Sequence, residues 1–174
     1  MQMEKIKISL KEFENRIQRL KKKMEEQEMD ALFVYGDEYR KENLRYMSNY
    51  WPIFERGGLL VGKNTDPIVL CAPEGEEVAK EMSVWPDIRL LPDFLCVTVP
   101  DEIEYPLAHY SSFQKLAQEI REKGELKKLG IVGKDAMSVD LYHSIETAFE
   151  AEIVNCNDFL YELRKEKSPD EVAC

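Results

Sequence analysis

The sequence predicts an α/β fold: a mixed, mostly parallel sheet with helices on both faces. Two observations carry this. Segments with the apolar period of helices alternate along the chain with short apolar runs of strand length, and such alternation builds parallel strands covered by helices. One pair of runs, residues 58–61 and 68–71, is joined by the turn formers Gly62-Lys63-Asn64-Thr65-Asp66-Pro67, which inserts a hairpin and makes the sheet mixed.

The elements follow in order. Ser9-Leu10-Lys11-Glu12 is a capping box, and Leu10, Phe13, Ile17, Leu20 and Met24 then recur at spacings of three and four, so an amphipathic helix is expected to run to about Met29. Residues 31–35 read as a buried strand closed by Gly36, and 43–50 as a short helix stopped before Pro52. After the hairpin come a helix over 74–83 and a strand over 88–91. Residues 93–110 lack a period and contain Pro100 and Pro106, which marks a loop or irregular crossover.

Ser111 or Ser112 opens the next helix, whose apolar face is Phe113, Leu116, Ala117 and Ile120 and whose C-cap is Gly124. A strand at 129–133 is followed by a helix capped by Ser138, carrying Leu141, Ile145, Ala148 and Phe149. The last strand is 151–154, and a short helix over 159–164 leads into the charged linker Lys165-Glu166-Lys167. Ser168-Pro169-Asp170-Glu171 then opens a helix: a serine cap, proline in the first turn and acids at the positive end of the dipole. A helix needs about three turns to be stable in water, so more chain is expected to follow Cys174.

Composition narrows the function classes. The chain has 174 residues, 44% hydrophobic and 33% charged, with a net charge of −10. That balance fits one globular domain and argues against nucleic-acid binding, which needs a basic patch. Lys21-Lys22-Lys23 is followed by Glu25-Glu26 and reads as a solvated helix face. No apolar run approaches the ~20 residues needed to cross a bilayer, and residues 1–11 lack the apolar core of a signal peptide. Cys71, Cys96, Cys156 and Cys174 are scattered, which favours reduced thiols and a cytoplasmic setting over a disulfide framework or zinc site.

Chemistry-bearing motifs are nearly absent. The two histidines, His109 and His143, stand apart, with no metal-ligand spacing around either; His143 lies off the apolar stripe of its helix and reads as a surface residue. Asp101, Glu102 and Glu104 form a solvated acidic run. Gly57 to Asn64 carries two glycines and a lysine at phosphate-loop spacing, but its middle is a strand and Asn64 replaces the required hydroxyl residue. Gly130 and Gly133 lack the third glycine of a dinucleotide fingerprint. The segment from Tyr46 to Gly58 differs: Tyr46, Tyr50, Trp51, Phe54 and Arg56 crowd a short stretch after a helix. Aromatics with arginine on a loop are the composition of an interface or ligand contact. The equally weighted alternative is that Trp51 and Phe54 fold back and seal the end of the sheet.

Three segments together resemble the N-terminal domain of the creatinase/prolidase/aminopeptidase P family. Phe13-Glu14-Asn15-Arg16-Ile17-Gln18-Arg19-Leu20, with Asp30-Ala31-Leu32 behind it, is similar to the family's opening helix R-x-x-L-x-x-x-M and its D-A strand. Asn43-Leu44-Arg45-Tyr46-Met47-Ser48-Asn49-Tyr50 resembles N-x-x-Y-L-T-G-F, departing from it at Met47, Ser48 and Asn49. Leu163 to Glu171 resembles the linker R-x-x-K-S-P-x-E into the catalytic domain. The resemblance implies a six-stranded sheet of ribonuclease H-like type over residues 1–164, with 165–174 as linker and start of a catalytic domain. It implies a homodimeric Xaa-Pro metallopeptidase as parent, whose two divalent ions (manganese, cobalt or zinc) sit in that further domain. This domain would itself be non-catalytic, serving dimerisation and covering the partner's substrate cleft, with Tyr46, Trp51, Phe54 and Arg56 as expected cleft or dimer contacts. Two alternatives stand: a free-standing α/β small-molecule-binding or regulatory module, and an accessory domain of a non-peptidase relative such as creatinase.

Overall fold

The computed structural model describes residues 8–95 and 108–174. Ser9 accepts the Glu12 N–H at 3.2 Å and starts α1 (Leu10–Glu26), which buries Phe13, Ile17, Leu20 and Met24 along one side. There follow β1 (Ala31–Asp37), α2 (Glu42–Ser48), β2 (Arg56–Gly62) and β3 (Ile68–Cys71). Next are α3 (Glu76–Met82), β4 (Ile88–Leu90), α4 (Phe113–Lys123), β5 (Lys128–Val132) and α5 (Val139–Phe149). The chain closes with β6 (Glu152–Asn155), α6 (Asn157–Lys165) and α7 (Pro169–Ala173).

The sheet has six strands in the order β4-β3-β2-β1-β5-β6. Strand β2 pairs antiparallel with both β1 and β3, while β3–β4, β1–β5 and β5–β6 are parallel. The expected mixed, mostly parallel sheet is therefore what forms. The expected strand end at Gly36 is corrected: β1 continues to Asp37 because the ladder carries on through Gly36 opposite Gly57 and Asp37 opposite Arg56. Of the irregular segment 93–110, residues 96–107, including Cys96 and the acidic run, lie outside the described residues. Its described ends hold a 3-10 turn over Pro92–Phe94 and a parallel bridge from Tyr110 to Leu90.

Alternating residues of the central strands feed two cores. Leu32, Val34, Leu59, Val61 and Val69 pack with Leu20, Met24, Leu44, Met47 and Leu160 of α1, α2 and α6. Phe33, Leu60, Leu70 and Ile131 pack on the other face with Phe113, Leu116, Ile145 and Phe149 of α4 and α5. Phe33, Phe94 and Phe113 meet edge-on, with ring centroids 6.1 and 6.0 Å apart, the arrangement aromatic quadrupoles prefer. Gly58 makes room for this cluster, since a Cβ there would lie 2.7 Å from Phe33 Cζ. Ser112 and Ser138 cap α4 and α5 as expected, accepting from the N–H groups of Lys115 and Leu141.

Candidate functional site

Strand β2 runs against its neighbours, so the loop that enters it, residues 49–55, sits above the carboxyl ends of β1 and β3. That edge is where open α/β sheets place their ligand surfaces. Helix α2 ends on Asn49 in the left-handed conformation (φ 61°), and the Asn49 amide donates to the Met82 carbonyl at 2.8 Å. Tyr50 then turns inward and is fully buried, with its N–H on the Ser48 hydroxyl at 3.2 Å. The tip, Ile53 and Phe54, is half exposed.

The predicted site residues do not form one pocket. Tyr46 is buried beneath the surface: its hydroxyl accepts from Arg19 at 3.1 Å and donates to the Leu163 carbonyl at 3.1 Å. Burial pushes its phenol up, partly offset by Arg19 and Arg16. Trp51 is partly covered, with the Arg45 guanidinium 4.4 Å from its ring centroid. Phe54 stays open to solvent. Arg56 opens β2 beside Asp37, half-buried and without an ion pair among the described residues. Trp51, Phe54 and Arg56 thus lie in or beside the loop that enters β2 (the rim loop), whereas Tyr46 turns away from it towards Arg16, Arg19 and Leu163.

Two buried charged groups, Arg16 and Glu55, carry structural roles that their sequence context did not assign them. Arg16 is 2% exposed and packs against the Tyr46 ring. It donates to Glu12 at 2.9 Å and to the Tyr46 carbonyl at 2.7 Å, and sits 3.6 Å from Glu171. The i,i+4 spacing of Glu12 and Arg16 was the available signal for it. Glu55 is also 2% exposed, and no periodic pattern marks it, because its partners belong to its own loop.

A second feature on this edge is a cleft of about 280 Å³ lined by Tyr35, Arg40, Asn43, Asp135, Asn157 and Arg164. Its polar groups are engaged with one another. Asn157 accepts the Gly133 N–H at 2.7 Å and donates to Asp135 at 3.0 Å, Arg40 pairs with Asp135, and Arg164 donates to Asn43 at 3.0 Å. The hydrogen bonds from Asn157 and Arg40 hold the Asp135 carboxyl below its usual range. Burial, with Asp37 nearby, pushes the Tyr35 phenol up to about 12. Arg40, Asn43, Asp135, Asn157 and Arg164 thus use hydrogen-bonding capacity in pairings within the cleft.

No group of three or more His, Cys, Asp or Glu side chains among the described residues is placed to hold a metal ion, so no step through a metal follows from these residues. His143 is exposed and pairs with Glu146 at 3.1 Å, as its position off the stripe led us to expect, and His109 is exposed. Residues 57–62 of the glycine-lysine segment lie in β2, which removes any phosphate loop there. Cys71 and Cys156 are free and buried, their thiols pushed up to about 12 and about 11 mainly by desolvation. No helix among the described residues is long and apolar enough to cross a membrane.

The strand order and the two packed faces define a mixed, six-stranded α/β domain. The chain belongs to the creatinase/prolidase N-terminal domain family, whose model matches residues 16–165. Solved structures share the fold. A Xaa-Pro dipeptidase from Bacillus anthracis is 20% identical with a TM-score of 0.64, covering 92% of this chain and 38% of its own. The dipeptidase PepE from Mycobacterium ulcerans is 16% identical with a TM-score of 0.66, covering 96% and 40% respectively. The N-terminal domain of the cytoplasmic peptidase PepQ from Mycobacterium tuberculosis H37Rv is 20% identical with a TM-score of 0.60, covering 86% of this chain and 98% of that one. This chain therefore spans well under half of the two longer structures. Among curated proteins none matches.

Proposed function

We propose that this chain is the non-catalytic N-terminal domain of a cytoplasmic, metal-dependent Xaa-Pro dipeptidase or aminopeptidase P-like hydrolase. The family match over residues 16–165 carries the reading. Residues 1–164 form the domain proper and 165–174 lead into a catalytic domain. Two divalent ions, manganese, cobalt or zinc, belong to that further domain, where metal-bound hydroxide would attack the scissile carbonyl. In a homodimer the rim loop covers the substrate cleft of the second subunit.

The geometry supports this division of labour. Trp51, Phe54 and Arg56 share the carboxyl edge of the sheet, and Arg56 makes no ion pair among the described residues, which suits its guanidinium to a substrate carboxylate. A free-standing small-molecule binder is less well supported, because the cleft beside the rim is occupied by its own pairings.

The test is Arg56→Ala, and separately Phe54→Ala, in the protein that carries both domains. The Michaelis constant for Xaa-Pro substrates is expected to rise about three- to tenfold with little change in kcat, the signature of lost substrate binding. Unchanged constants across substrates remove the rim from the cleft. The 174-residue chain alone is expected to show no Xaa-Pro hydrolysis with added manganese, cobalt or zinc, and metal-dependent turnover by it would overturn the assignment.

A further inference from the structure

Residues 50–55 make no backbone-to-backbone hydrogen bond among the described residues. Buried main-chain groups without such partners are satisfied by side chains or water; here the Ser48 hydroxyl serves the N–H and carbonyl of Tyr50 (3.2 and 3.4 Å), and a second side chain serves the tip. The Glu55 carboxylate accepts the Ile53 N–H at 3.2 Å and the Phe54 N–H at 3.0 Å on Oε2, and the Tyr50 hydroxyl at 3.1 Å on Oε1. It has no ion pair with any described cation. A buried carboxylate is costly unless its oxygens are filled by donors, and these three donors fill them.

The surroundings are shaped to this carboxylate. Gly75, in the turn after β3, lies directly against the Glu55 carboxylate, and a Cβ there would force the carboxylate to shift. Tyr50, one of its donors, is 0% exposed and anchored in the core, whereas Ile53 and Phe54, whose N–H groups supply the others, are 51% and 49% exposed. One carboxylate thus joins the core to the apolar tip of the loop.

We propose that Glu55 is the positioning residue of the rim. It holds the tip at a fixed height so that Ile53 and Phe54 meet the peptide substrate's apolar side chains in the cleft they cover. This rests on the function proposed above. Pre-organising a contact loop removes the ordering cost it would otherwise incur on binding, so the effect of Glu55 falls on the Michaelis constant and not on the chemical step.

The first measurement needs no variant. Amide hydrogen exchange of the unmodified chain is expected to show the Ile53 and Phe54 N–H groups protected about a hundredfold or more, although their side chains face solvent. Free exchange at both would overturn the proposal. In Glu55→Gln, where one acceptor oxygen becomes a donor, their exchange should accelerate at least about tenfold while core amides of β1 and β5 stay protected. Unchanged exchange in a folded Glu55→Gln chain also overturns it. In the two-domain protein, the same substitution should raise the Michaelis constant for substrates with large apolar residues about three- to tenfold and leave kcat within about twofold. Faster exchange with an unchanged Michaelis constant would uphold Glu55 as the loop's anchor and sink the cleft-covering role, so the two ideas fail separately.

Discussion

Arg16 and Tyr46 meet twice: the guanidinium lies 4.1 Å from the centre of the tyrosine ring and donates a 2.7 Å hydrogen bond to the tyrosine's own carbonyl. Phe13 packs on the same guanidinium at 4.8 Å, so a cation that is 2% exposed is enclosed by two aromatic faces, Glu12 of its own helix and Glu171 of α7. Through it α1, α2 and α7 share one node.

Replacing Arg16 by alanine leaves Glu12 and the Tyr46 carbonyl without their main partner. Breaking a buried pair by removing one member costs about 3–5 kcal/mol, and urea unfolding should show a loss of that order. Arg16→Lys keeps the charge but not the fork, so it should recover only part. Alanine behaving like the parent would mean that the node contributes no stability.

Gly58→Ala places a methyl group 2.7 Å from Phe33 Cζ and 2.8 Å from Cε2, inside the aromatic cluster. Overpacking of a filled core costs about 1–3 kcal/mol. The denaturant midpoint should fall accordingly, with little change in the slope.

Asp170 accepts both the hydroxyl (2.6 Å) and the N–H (3.0 Å) of Ser9. These bonds hold its carboxyl below the usual aspartate range. A folded value below the unfolded one, about 3.9, means that the contact favours the docked state above that pH and is lost as pH falls through the depressed folded value. Carbon-detected titration of the carboxyl should show the depression, and Ser9→Ala should move the midpoint up towards the ordinary value. An unshifted midpoint in the parent chain would remove the contact.

The parts of this fold that short-range chemistry decides were visible in the residues. Ser9, Ser112, Ser138 and Ser168 all cap helices, each through a bond to an N–H three residues on. The strands showed as apolar runs because both faces of this sheet are covered. Gly36 misled because glycine commonly ends a strand, whereas here it lets the Leu44 side chain pack close: a Cβ would meet it at 2.9 Å. The rim was half legible. Aromatic composition marked the segment, but composition cannot say which rings turn inward, and Tyr46 and Tyr50 did. Glu55 stayed invisible because a lone acid between Phe54 and Arg56 has the look of a solvated residue. Only the folded loop brings its three donors together.

The ends of the sheet bear on how two copies could associate. On one side β4 is three residues long, and Leu90 already bridges to Tyr110. On the other, β6 has four residues, with Glu152 and Asn155 exposed. Neither margin offers a long unpaired backbone for another chain to extend. Among the described residues the sheet margins therefore favour association through side chains, which leaves the choice of partner to surface residues that can vary while the underlying ladder stays the same.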